Sequence, residues 1–163
     1  MTAVPYNIVS LDRIPAPAQV TNTPTHDLMA VYKACQEMER VCERAGGIGL
    51  SAVQVGIPWK LFVAKTATGY DHMIDCEYAA EGEEKVSTIE GCLSLNEGKD
   101  RYYVKRHKRV RVKGSRLDVS GSQPILVPFE EVKEGQDAIL YQHEIDHQNS
   151  ILIKDIGKQV FLW

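Results

Sequence analysis

Between Gly135 and Asn149 no proline interrupts the chain, and this stretch carries His143-Glu144-Ile145-Asp146-His147. On an α-helix, residues four apart lie one turn above each other, so both imidazoles must converge on a single point. Ile139 and Leu140 fall on the same face, which marks the segment as a helix that carries chemistry as well as packing. Glu144 stands beside the first imidazole, where it can reach a metal-bound water without ligating the ion. That suits a general base that later acts as an acid. Asp146 is placed to orient a neighbouring group. The plainer reading is an exposed helix whose His and Glu are only solvated; a glutamate after the first histidine shifts the balance towards chemistry.

A catalytic site of this kind needs a third protein ligand and an open position for water. Downstream of His147 the chain has no histidine or glutamate, and Asp155 is the only acidic side chain there. This disfavours the two large protease patterns that take their third ligand from that side. Upstream stand Cys35, Cys42, Cys76 and Cys92 with His26, His72 and His107. Cys35 and Cys42 are seven apart on an apolar stripe, which reads as core packing. Cys92 sits in Glu90-Gly91-Cys92-Leu93-Ser94, where glycine allows the backbone close to a ligand. Alone, that segment singles Cys92 out only weakly.

With 163 residues and 44% hydrophobic composition, the chain is expected to form a single domain over residues 1–163. The net charge of -3, from 19 basic and 22 acidic residues, argues against a dedicated nucleic-acid or polybasic membrane surface. No apolar run nears the roughly 20 residues of a membrane span, and the first residues lack the order of a secretion signal. Four cysteines without scaffold spacing fit a reducing compartment. The expectation is a cytoplasmic protein.

Pro5, Pro15, Pro17 and Pro24 predict an opening segment that wraps the surface as extended chain. Leu28, Tyr32, Cys35, Met38, Cys42 and Ala45 recur at helical steps, predicting a helix over about 25–45 that Gly46 and Gly47 end. Leu61 to Ala64 reads as a buried strand, and Val104, Val110 and Val112 as half-exposed strand. Ser115 to Gln123, with Gly121, reads as turn or loop. Ile125 to Phe129 reads as a strand in which Pro128 implies an edge or an ending. There is no internal repeat.

Gly47 to Gln54, Glu90 to Ser94 and Gln142 to His147 resemble, in order, the three signatures of peptide deformylases, and the resemblance extends over about residues 28–155. It implies an α+β fold in which antiparallel strands surround a central metal-bearing helix, with a second helix nearer the N-terminus. It further implies that Cys92, His143 and His147 bind one divalent ion with water in the fourth position, and that Glu144 handles the proton. The Gln54 amide and the Leu93 N–H would stabilise the oxyanion. Sulfur and imidazole donors admit zinc, iron, cobalt or nickel, and the resemblance points to Fe(II). The implied substrates are formyl-methionyl N-termini of nascent chains, with formate as product. Ile48, Gly49, Gly91, Ile139 and Leu140 would line the methionine pocket. Arg106 would contact substrate backbone or stand as a solvated strand residue. A monomer in transient contact with the ribosome would fit, in the cytoplasm of a bacterium or of a phage's host.

Departures from the pattern fall outside the ligands. Ser51 stands where alanine is usual, which reads as conservative. Gln148 and Ser150 replace leucine and glycine, and Asp75-Cys76 replaces asparagine-proline. The stretch from Lys113 to Gly135 is longer than in many members, and the chain stops soon after the third motif without a long C-terminal helix. A divergent or minimal member, such as a phage-borne one, would look like this. Two competing readings use the same helix: a zinc endopeptidase, which the missing downstream ligand weighs against, and a binding protein with a storage or structural metal, which Gln54 weighs against if it faces the ion.

Overall fold

The first long helix begins where a side chain can cap it. Asp27 accepts from the Ala30 N–H at 3.0 Å, so α1 runs Leu28–Ala45, three residues shorter than the periodicity predicts. At its other end Gly46, at φ 70°, donates to the carbonyls of Cys42 and Glu43, a left-handed cap that glycine adopts at no steric cost. Cys35 and Cys42 are fully buried on the inner face with Val31 and Met38, as their spacing predicts. Burial pushes the Cys42 thiol up to about 11, so it is an inert packing group.

The structure, a computed structural model, describes residues 6–161. Strands β1 (Gly49–Ser51), β2 (Leu61–Lys65) and β3 (Tyr70–Ala80) precede β4 (Lys85–Glu90) and β5 (Arg101–His107). Then come β6 (Arg109–Asp118), β7 (Ile125–Glu134) and, near the end, β8 (Lys158–Val160). They form two antiparallel sheets, one ordered β1-β2-β3-β6-β7 and the other β4-β5-β8. Helix α2 (Gly135–Gln148) packs its Ala138, Tyr141 and Ile145 on Phe62, Met73, Val110 and Val112 of the larger sheet. The other side of that sheet's first strands meets α1 through Leu50, Leu61, Val63 and Ile74. A third cluster joins Cys92 and Val104 to Leu152 and Ile153, the latter opening the short α3 (Ile153–Ile156). The architecture is α+β, with antiparallel strands around α2.

Several local expectations shift. The segment from Ser115 is not all loop: β6 continues to Asp118, paired with Ile125, and only 119–124 turn. Its polar residues misled because they sit half-buried on a strand paired on both sides, with Leu117 alone of 115–118 fully buried. Pro128 sits opposite Ser115 on the edge strand β7, the place in a sheet where proline is tolerated, and it does not end the strand. Asp75 takes φ 52° at a break in the β3–β6 register and accepts from the Thr23 N–H at 2.8 Å. The kink pushes Cys76 against Gly114, where any Cβ would lie 2.6 Å from its sulfur. Before α1 the chain crosses the surface with two short 3-10 turns, Leu11–Arg13 and Pro17–Gln19.

Candidate active site

Gly135, at φ 61°, lets β7 turn directly into α2, which brings His143 and His147 under the segment that follows β4. There the Cys92 Sγ and one nitrogen from each histidine lie within 4.8 Å of one another, the one such His, Cys, Asp or Glu trio among the described residues. His147 Nε2 is 3.7 Å from the Cys92 Sγ. One thiol and two imidazoles, with no fourth protein donor grouped with them among the described residues, fit a tetrahedral divalent ion that keeps a position open.

The electrostatics fit as well. Burial, then the charge of His143, holds His147 well below its usual range, so it is neutral, as a ligand must be. Burial pulls His143 down, but its hydrogen bonds to Cys92 and Glu90 outweigh this and carry it up to about 10. The surroundings favour positive charge between His143 and Cys92, which a bound cation would supply.

Behind the trio lies a buried polar network. His143 Nδ1 is 2.8 Å from Glu90 Oε1, which directs its other nitrogen towards Cys92. Arg106 grips Glu90 with two bonds, Nε to Oε2 at 3.0 Å and Nη2 to Oε1 at 2.9 Å. Its third arm reaches Asp146 at 2.6 Å, which also accepts from the Tyr78 hydroxyl at 2.7 Å. Burial pushes the Glu90 carboxyl up, yet the bonds from His143, Arg106 and Thr88 more than reverse this and hold it down at about 2.

On the other flank, the 3-10 turn Ala52–Val55 after β1 carries Gln54. Its carbonyl oxygen accepts from the Ser51 N–H at 2.9 Å. The amide nitrogen is thereby turned to Ser94 Oγ at 3.0 Å and Cys92 Sγ at 3.6 Å. Glu144 is buried beside this turn, accepting from the Ser51 hydroxyl at 3.0 Å. Burial raises its carboxyl above the ordinary range, a shift that would suit a group taking up and releasing a proton. Cys92, His143, Glu144 and Gln54 line a cavity of about 840 Å³.

A sequence profile for polypeptide deformylase matches residues 11–160. The peptide deformylase of Thermotoga neapolitana is 33% identical over 126 residues, covering 77% of this chain and 71% of that protein. That of Carboxydothermus hydrogenoformans is 37% identical over 123 residues, covering 75% and 74%. The chain belongs to the peptide deformylase family. Solved deformylases share its fold. The Thermotoga maritima structure, 29% identical, superposes with a TM-score of 0.76 over 94% of this chain and 98% of that one. A Synechococcus elongatus deformylase in complex with actinonin, 24% identical, gives 0.78 over 97% and 81%.

In this deformylase, Ile48, Gly49, Gly91, Leu93, Ile139 and Leu140 all line the cavity. Ile48 is 59% exposed and forms its lip. Arg106 requires a correction. It neither lines the cavity nor meets solvent; at 3% exposure it is a buried cross-brace between Glu90 and Asp146. A lone arginine on an alternating strand gives no sign of which carboxylates fold over it. Sequence reasoning also passed over Glu90, although it stands two residues before Cys92 in the same signature, and treated Ser51 as a neutral replacement.

Proposed function

We infer that this peptide deformylase removes the formyl group from N-terminal formyl-methionine through an ion held by Cys92, His143 and His147. The observation that carries this reading is the position of the Glu144 carboxylate, which shares the floor of the cavity with Cys92, His143 and Gln54. When bound, the ion supplies an acidified water and a positive charge for the carbonyl oxygen. Fe(II) is the physiological choice we propose, with zinc, nickel or cobalt able to occupy the same donors.

Glu144 takes the proton of the attacking water and passes it to the leaving amine, giving formate and a free N-terminus. The Gln54 amide and the Leu93 N–H receive the oxyanion. Apolar walls from Ile48, Ile139 and Leu140 take the methionine side chain. Strand β4 borders the cavity and is the edge of its sheet, so an extended nascent chain can lie along it through backbone hydrogen bonds. No described helix is long and apolar enough to cross a membrane. We place the protein in the cytoplasm as a one-domain monomer that meets nascent chains in transient contact with the ribosome.

The test is formate release from formyl-Met-Ala-Ser by protein reconstituted anaerobically with Fe(II). Turnover is expected for the parent and lost in Cys92→Ala and Glu144→Ala, with metal still bound in the latter. A metal-loaded parent that releases no formate, or that cleaves unmodified peptides internally, would overturn the reading.

A further inference from the structure

Ser51 is where this chain leaves the usual pattern of its first signature, and the structure places that residue on the proton carrier. It ends β1, paired with Phe62, and is fully buried. Its Oγ lies 2.7 Å from the backbone carbonyl of Glu144 and 3.0 Å from Glu144 Oε2. Among the described residues no other side chain is hydrogen-bonded to this carboxylate. The opposite oxygen, Oε1, rests over Gly49, 2.9 Å from where a Cβ would stand. Gly49 therefore makes room for the carboxylate, and Ser51 alone ties it.

We propose that Ser51 is a positioning residue for deformylation: its hydroxyl holds one oxygen of Glu144 so that the other faces the cavity. A side chain with a free carboxylate torsion would sample several orientations, because terminal carboxylate rotations are broad. One hydrogen bond from a buried, backbone-anchored hydroxyl removes that freedom. A hydroxyl also suits a group that alternates between base and acid, because it both donates and accepts. Its one hydrogen has two acceptors in reach, the carboxylate oxygen at 3.0 Å and the Glu144 carbonyl at 2.7 Å. When Glu144 carries the proton, Oγ can accept from it while its own hydrogen turns to the Glu144 carbonyl at 2.7 Å. An alanine at this position offers neither. The Ser51 backbone N–H separately fixes Gln54, so removing only the hydroxyl leaves the oxyanion donor in place.

This inference rests on Glu144 being the proton carrier, and the experiment separates the two. Formate release is measured for metal-loaded parent, Ser51→Ala, Glu144→Asp and the double variant, with metal content and melting temperature recorded for each. Ser51→Ala should lower kcat about tenfold, part of the roughly 10²–10⁴ that a positioned proton carrier contributes. KM, metal content and melting temperature should stay close to the parent's. In the Glu144→Asp background, whose carboxylate is one carbon shorter, Ser51→Ala should cost almost nothing more. Unchanged kcat in Ser51→Ala overturns the proposal, as does an equal further loss in the Glu144→Asp background. Full activity in Glu144→Asp, and in the Glu144→Ala variant measured alongside it, would overturn the role of Glu144 itself.

Discussion

Replacing Arg106 by methionine tests whether the buried network is as consequential as its geometry implies. Arg106 is 3% exposed, and its partners Glu90 and Asp146 are 8% and 9% exposed, so solvent screens none of the three effectively. Methionine fills much of the same volume but leaves two carboxylates buried without their cation. Breaking such a pair by removing one partner costs about 3–5 kcal/mol. In a chain of this length each kcal/mol moves the melting temperature by about 2–4 °C, so the fall should be roughly 6–20 °C. A second effect follows, because Glu90 also orients His143. Losing an outer partner of a ligand typically costs about 10- to 100-fold in metal affinity. Thermal unfolding in a chelator reads the first effect without the ion, and a metal-competition titration reads the second. Arg106→Lys should rescue little, since one ammonium cannot replace a guanidinium that binds Glu90 twice and Asp146 once. Arg111→Met is the control: it breaks an exposed pair with Glu81 and should melt close to the parent. If Arg106→Met also melts within about 3 °C of the parent, the burial of this network does not carry the weight assigned to it.

Gly49→Ala would set a methyl group 2.8 Å from Leu140 Cδ1 and 2.9 Å from Glu144 Oε1. It should lower kcat more than about tenfold while the chain stays folded, by steady-state formate release and circular dichroism. Met38→Ala empties a fully buried site in α1 and should cost about 2–5 kcal/mol in urea unfolding. Its activity per folded molecule should match the parent's, because Met38 packs in the α1 core cluster, which contains none of Cys92, His143 and His147. Stripping the metal should abolish turnover and lower the parent's stability, by about 2.7 kcal/mol relative to protein held at 100 times the dissociation constant of the ion. His147→Ala should show no such chelator-dependent shift; a shift as large as the parent's would remove His147 from the ligand set.

Where the sequence succeeded and where it failed divides along the range of the interactions. The convergence of His143 and His147, the start and stop of α1 and the packing of Cys35 and Cys42 depend on neighbours within a turn or two. Helical geometry converts that spacing into position with no knowledge of the rest of the fold. β3 left little trace because its side chains alternate irregularly and it breaks register at Asp75; β4 alternates, but of its residues only Glu90 is fully buried, and both strands depend on pairing with β6 and β5. The roles of Ser51 and Arg106 depend on partners 93 and 40 residues away. A serine in a glycine-rich segment and an arginine on a strand are both ordinary in isolation. By itself the sequence determined the chemistry on offer: two imidazoles, a carboxylate between them, and a thiol beside a glycine. Only the tertiary structure decided which group steadies each of these, because a hydrogen bond between distant residues exists only once the sheets have fixed where the backbone runs.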